Sequence, residues 1–225
     1  MIELAKPAID VGLYTDRLQP MLDFWQQTAG VTFAELLPLG GGLRQHRHAI
    51  GDSVLKINHS RDPLTAAPPA GIRRLVIARP EIAEAADLTD PDGNALRLVA
   101  PGTSGIQQLQ VELTVSRLAE HLDFYGNALG FPQIDQHTFA CGASRIRLQQ
   151  GTATHDPQRS APGYRYLTIQ VYDVRACHAE ILRKGGREGM APVKLGDVAH
   201  ISFVRDPDGN WIEVSQRKSI TGSLD

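Results

Sequence analysis

Apolar residues recur along this chain with two periods, and the two alternate in a fixed order. "IDVGLY" and "QVELTV" place Val11 and Leu13, and then Val111, Leu113 and Val115, on one face with polar neighbours on the other, as a half-buried strand requires. A helical period follows each. Leu18, Leu22 and Trp25 in "TDRLQPMLDFWQQTAGV", and Leu118, Leu122 and Tyr125 in "VSRLAEHLDFYGNALGF", fall on one side of an amphipathic helix. The two segments align without a gap at an offset of 100 residues. Gly30 and Gly130 stand where a helix ends on a left-handed residue. Short alternating runs come next: "LRQHRHAI" turning at Gly51 and Asp52 into "SVLKINH", and "QHTFA" turning at Gly142 and Ala143 into "SRIRLQ".

The predicted unit is thus a strand, a helix and three antiparallel strands. A further unit closes the chain: "YLTIQVYD", the helix "ACHAEILRKGG", then "AHISFVRDPDGNWIEVSQ". Its counterpart in the first half is cut short, because "RRLVIA" soon reaches its own DPDGN at Asp90 to Asn94. DPDGN recurs at Asp206 to Asn210 as the same turn. Proline presets φ, the aspartates bond back to backbone N–H groups, and glycine takes the left-handed position. The linker composition of "APGTSG" places a division near residue 102, giving domains 1–102 and 103–218 and a tail 219–225.

Composition narrows the function. The net charge is -2 with lysine and arginine thinly spread, so no basic face points to nucleic acid. No stretch is long and apolar enough for a membrane span, and the first residues lack a signal peptide's apolar core. Cys141 and Cys177 lack CxxC spacing and read as reduced thiols of a cytoplasmic protein. The expected partner is a small molecule, and the expected assembly a monomer or homodimer.

Together, "LDFYGNALGF" after a strand and "FVRDPDGNWIEV" at the end resemble the vicinal-oxygen-chelate superfamily of glyoxalases, extradiol dioxygenases and bleomycin-resistance proteins. The resemblance implies an α+β fold of paired βαβββ modules, with mixed sheets curled around a cavity and helices outside. It does not imply one reaction. Such proteins usually hold one divalent metal (Fe, Mn, Zn or Ni) on strands facing the cavity. Carried over place by place, the second half offers Gln110, Arg147, Tyr166 and Glu213, of which Arg147 cannot bind a metal. The first half offers Asp10, Lys56, Arg74 and Arg97, whose three cations repel a divalent ion, so no metal is expected there.

Strand alternation gives a second list. If Val111, Leu113, Leu167, Ile169, Ile201, Phe203, Ile212 and Val214 pack under the helices, then Gln110, Glu112, Thr114, Arg147, Tyr166, Thr168, Gln170, His200, Ser202, Glu213 and Ser215 face inward. So polar a face suits a ligand pocket, or else a sheet with one wetted side. Glu213 reads either as a silent salt-bridge partner of Arg147 or as a metal ligand or general base. His200 reads either as a structural histidine or as the third member of a displaced set with Gln110 and Glu213. Tyr166 is a candidate proton donor, and Arg147, Gln110, Thr168 and Gln170 are candidate substrate contacts. His46 and His48 fall on the helix-facing side, which makes a metal site there the weaker reading.

Two functions compete. One is an enzyme of lyase, isomerase or ring-cleaving dioxygenase type, acting on a small oxygen-rich molecule through Glu213, Tyr166 and His200. The other is a sequestering protein of the bleomycin-resistance kind, favoured by the loss of ligand histidines. Substrate and reaction are not legible in these residues.

Overall fold

A computed structural model of the chain describes residues 2–224. The first module is β1 (Leu4–Thr15), α1 (Leu18–Asp23), β2 (Thr32–Gly40), β3 (Leu43–Ile50) and β4 (Ser53–Ser60). The second holds β5 (Ile72–Ala78), β6 (Ala86–Thr89) and β7 (Ala95–Val99), without a helix. The third is β8 (Leu109–Val115), α2 (Leu118–Asp123), β9 (Thr138–Cys141) and β10 (Ser144–Gln150). The fourth is β11 (Gly163–Val171), α3 (Val174–Arg183), β12 (Arg187–Leu195), β13 (Ala199–Arg205) and β14 (Trp211–Arg217), and the tail carries a short α4 (Lys218–Thr221).

The aligned helices share one irregularity. Each widens into a π turn, over Phe24–Thr28 and Phe124–Ala128, where Ala29 N–H donates to Phe24 O and Leu129 N–H to Phe124 O. Gly30 (φ 67°) and Gly130 (φ 70°) then end them in the left-handed region. Trp25 and Tyr125 point into the core with no exposure, and Leu22 and Leu122 pack against it.

The sheets depart from the expected division into two self-contained halves. One has eight strands in the order β12-β13-β14-β11-β1-β4-β3-β2, and the other has six in the order β6-β7-β5-β8-β10-β9. The first module therefore joins the fourth through the antiparallel pair β1–β11, and the second joins the third through β5–β8. Hydrophobic period defines a module but does not say which edge of it finds which partner. The Pro-rich stretch 61–71, outside any strand, carries β5 away from the first module's sheet. One continuous core, with Ile9, Leu55, Leu75, Val111, Tyr125, Ile181 and Val214 among its members, takes residues from all four modules.

The two DPDGN turns fasten this exchange. Asp90 Oδ1 accepts from the N–H groups of Asp92 (3.0 Å) and Asn94 (2.9 Å), and Asp206 Oδ1 from those of Asp208 (3.0 Å) and Asn210 (2.9 Å). Each second oxygen reaches a helix of another module, Asp90 Oδ2 receiving Trp25 Nε1–H and Asp206 Oδ2 receiving the Tyr125 hydroxyl, both at 3.3 Å. Each asparagine then holds the start of a strand in the opposite sheet. Asn94 Oδ1 accepts from Tyr164 N–H at 3.2 Å, and Asn210 Oδ1 from Gly71 N–H at 2.7 Å. The repeated pentapeptide is thus a reciprocal clasp between the two sheets.

Cys141 and Cys177 are buried and unpaired, and burial pushes both thiols up to about 12. Among the described residues no helix is long and apolar enough to cross a membrane.

Asp206 has no solvent exposure, and its carboxylate satisfies donors from three residues. Asp206→Ala should therefore cost about 2–4 kcal/mol by urea denaturation, since it leaves buried donors unpaired. A loss below about 0.5 kcal/mol, the ordinary range for an inconsequential surface change, would contradict the clasp.

Candidate functional site

A cavity of about 340 Å³ opens on the face of the eight-stranded sheet opposite the core, where strands of the first and fourth modules meet. Strand register builds its floor. Gly12 lies opposite both Lys56 and Tyr166, and Thr168 lies opposite Glu213, so their side chains share one face. The flanking Leu55, Ile57, Ile212 and Val214 enter the core on the other.

At the centre Lys56 Nζ donates to Glu213 Oε2 at 2.6 Å and to Thr168 Oγ1 at 2.7 Å, and the Thr168 hydroxyl donates to the same Glu213 oxygen at 2.7 Å. The Lys56 side chain is only 3% exposed and that of Glu213 12%. Burial lowers the Lys56 pKa, while Glu213 and Asp10 act against that fall. A buried ammonium demands such a partner. Both of Glu213's bonds use Oε2, and Oε1 takes no hydrogen bond from the described residues.

Tyr166 forms the adjoining wall. Its hydroxyl oxygen accepts from Asn58 Nδ2–H at 3.1 Å, which leaves its own hydrogen to donate. Burial first, and then the Glu213 and Tyr14 charges, raise its pKa well above the ordinary phenol, so the proton stays on. The ring occupies the space a side chain at position 12 would take. Arg47 and Arg217 line the cavity and share the carboxylate of Glu35, at 2.8 and 2.9 Å. Leu37, Leu39 and Leu43 on one side and Val193, Leu195 and Val198 on the other make the mouth apolar.

Of the residues singled out from sequence, the structure brings Glu213, Tyr166 and Thr168 together. Gln170 is buried on the same strand, its Nε2 3.4 Å from Asp10 Oδ2, and does not line the cavity. His200 lies on the opposite face. Glu213 pairs directly with Phe203 and Ser215 with Ile201, so Phe203 and Ile201 face the cavity and His200, one residue out of step, faces a separate depression with Tyr172 and Gln216. The expectation that put Ile201 and Phe203 under the helices is corrected by that register. Gln110 and Arg147 lie in the six-stranded sheet. Gln110 donates to Glu112 at 3.3 Å, and Arg147 is exposed across from Glu112. Gln110, His200 and Glu213 therefore do not converge, and Arg147 is not the partner of Glu213. Arg74 and Arg97 are in that second sheet too, paired with Glu112 and Asp87.

The residues present do not fit a divalent metal. Among the described residues no group of three or more His, Cys, Asp or Glu could hold one. Lys56 stands where the resemblance places a carboxylate, and an ammonium has no lone pair to donate. His46 and His48 lie away from the cavity, as their alternation with Gln45 and Arg47 implies. His48 meets Gln26 of the helical segment at 3.0 Å, and burial pushes its pKa down to about 4. Sequence reasoning missed Lys56 as the partner of Glu213 because that contact crosses the two halves. It also missed Tyr14 and Asn58, which the same β1–β4 register could have supplied, and Arg159, which sits in a loop without any pattern.

Residues 107–214 match the Glyoxalase/Bleomycin resistance protein/Dioxygenase superfamily. A virulence protein of Salmonella typhimurium is 33% identical over 115 residues, covering 46% of this chain and 79% of that protein. A lactoylglutathione lyase of Neisseria meningitidis is 31% identical over 127 residues, covering 49% of this chain and 91% of that protein. Among solved structures, glyoxalase I from Zea mays superposes with a TM-score of 0.77 at 15% identity, over 96% of this chain and 92% of that one. A putative dioxygenase from Bacillus subtilis gives 0.67 at 12% identity, over 100% and 92%. At these identities the structures share the fold alone.

A Cβ at position 12 would stand 2.0 Å from ring atoms of Tyr166. Gly12→Ala should cost about 1–3 kcal/mol, as overpacking does. In a Tyr166→Ala background the same change should become nearly neutral, with the coupling read by a double-mutant cycle in urea. Additive costs would place the Tyr166 ring elsewhere.

Proposed function

This chain belongs to the glyoxalase/bleomycin resistance protein/dioxygenase superfamily, and within it we propose a proton-transfer enzyme of isomerase or lyase type. Its substrate is a small carbonyl compound with a C–H beside the C=O. One observation carries the reading: Glu213 is anchored through Oε2 alone, so that Oε1 remains as a base inside the cavity.

Oε1 takes the proton from carbon, and the electron pair left behind moves into the carbonyl as an enolate. Lys56, fixed by Thr168 and Glu213, supplies positive charge at the floor where the oxyanion forms. The Tyr166 phenol, which keeps its proton, donates to that oxygen. Where the reacting carbon carries a hydroxyl, return of the proton to the former carbonyl carbon, with the hydroxyl giving up its own proton to become the new carbonyl, gives the isomer. Expulsion of a β-leaving group by the enolate gives the lyase outcome. No step is assigned to a metal, because Lys56 stands beside Glu213 where a further ligand would be needed, and an ammonium has no lone pair to donate. Of the sequence-derived contacts, Thr168 positions the base, whereas Gln110, Arg147, Gln170 and His200 have no part.

The closed Lys56–Thr168–Glu213 triangle also suits a pocket that holds its ligand without turnover, and one experiment separates the readings. A panel of small α-hydroxy and α-oxo carbonyl compounds is incubated with the protein in D2O, and loss of the α-proton signal is followed by NMR. We expect catalysed exchange with at least one compound, falling roughly 100- to 10,000-fold in Glu213→Gln. Exchange that is unchanged in Glu213→Gln would refute the assignment of the base. Saturable binding with no exchange across the panel would favour sequestration.

A further inference from the structure

Four cationic side chains line the cavity: Arg47, Lys56, Arg159 and Arg217. Three are already committed, Lys56 to Glu213 and both Arg47 and Arg217 to Glu35. Arg159 differs. It makes no hydrogen bond or ion pair with the described residues, and its guanidinium rests against aromatic faces, 4.4 Å from the Phe203 ring centroid and 5.3 Å from that of Trp211. These contacts hold the group without using its N–H donors. Asp156, which lines an adjoining outer cavity with Arg159, is paired elsewhere, with Arg187 at 2.7 Å and Arg205 at 3.1 Å.

Arg159 also stands at a junction. It lines both the inner cavity and the outer one, as Met190 does, so it lies in the wall they share. Tyr14 ties it to the reacting floor, because its hydroxyl feels the charges of both Arg159 and Glu213. Beyond Arg159 the mouth is apolar, with Leu37, Leu39, Val193 and Leu195 on the facing strands β2 and β12.

We infer that Arg159 is the anion anchor of this cavity, and that its substrate is a carboxylate-bearing carbonyl compound with an apolar body. An uncommitted guanidinium held by two rings offers a carboxylate two parallel N–H donors. The apolar mouth takes the hydrocarbon part of the ligand, and the carbonyl is left to reach Lys56 and Glu213. This rests on the proton-transfer reading for the identity of the floor, but the anchor itself does not need turnover.

The test uses hexanoate and hexanamide, which share an apolar chain and differ in charge, titrated calorimetrically into the full-length protein. Hexanoate should bind roughly tenfold tighter or more, the usual worth of a charge-assisted pair. Arg159→Met should bring the two within about twofold of each other, and Arg159→Lys should restore part of the preference by keeping the charge. Neither ligand has to exchange a proton for the comparison to be read, so the anchor and the base fail or stand independently. Equal affinities in the unaltered protein, or an undiminished preference in Arg159→Met with native circular dichroism, would overturn the assignment.

Discussion

A lysine ammonium buried in a sheet must meet a carboxylate, and in this protein that requirement joins the two ends of the chain. Lys56 comes from the first module and Glu213 from the last, 157 residues apart, and their 2.6 Å contact forms only when β1 pairs with β11. Removing either charge would leave the other stranded in low dielectric, at a cost on the order of 3–5 kcal/mol. The pair thus does two things at once. It rewards the exchanged pairing of modules, and it puts a fixed positive charge where the cavity can use it.

The clasps on the other side of the core make the exchange hold. Each DPDGN turn bonds internally through one aspartate oxygen, then reaches a helix of another module through the second oxygen and a strand of the opposite sheet through its asparagine. Because the same arrangement occurs twice, each sheet braces the other. The cavity floor then gains its geometry from strands rather than loops: Thr168 and Glu213 are direct neighbours across β11 and β14, and Gly12 leaves room for the Tyr166 ring between them and Asn58. Arg159 is the exception, a loop residue kept in place by the aromatic faces of Phe203 and Trp211.

Much of the fold was legible in the sequence because its signals are local. The period of Leu18, Leu22 and Trp25, the glycines at 30 and 130 and the doubled turn all report the conformation of their own segment. The choice of partner edge is not local, and there the reading by halves failed. Glu213, Tyr166 and Thr168 were identified by alternation within single strands and do meet. Gln110 and Arg147 were assigned to the wrong sheet, since nothing in their own strands says that β8 pairs with β5 rather than with β11. His200 was lost to parity: a one-residue difference in the β13–β14 register sends every side chain of that strand to the other face. Lys56 was seen on a cavity face but given to the wrong cavity.

A lysine of the chain itself stands where the superfamily resemblance leads one to expect a metal ligand. Crystals grown without chelator and soaked in Mn, Ni or Zn salts, with anomalous data at each metal edge, test it most directly. The account predicts Lys56 Nζ within hydrogen-bond distance of Glu213 Oε2 and Thr168 Oγ1, with no anomalous peak in the cavity. A metal peak bonded to Glu213, with Lys56 displaced from it, would contradict it.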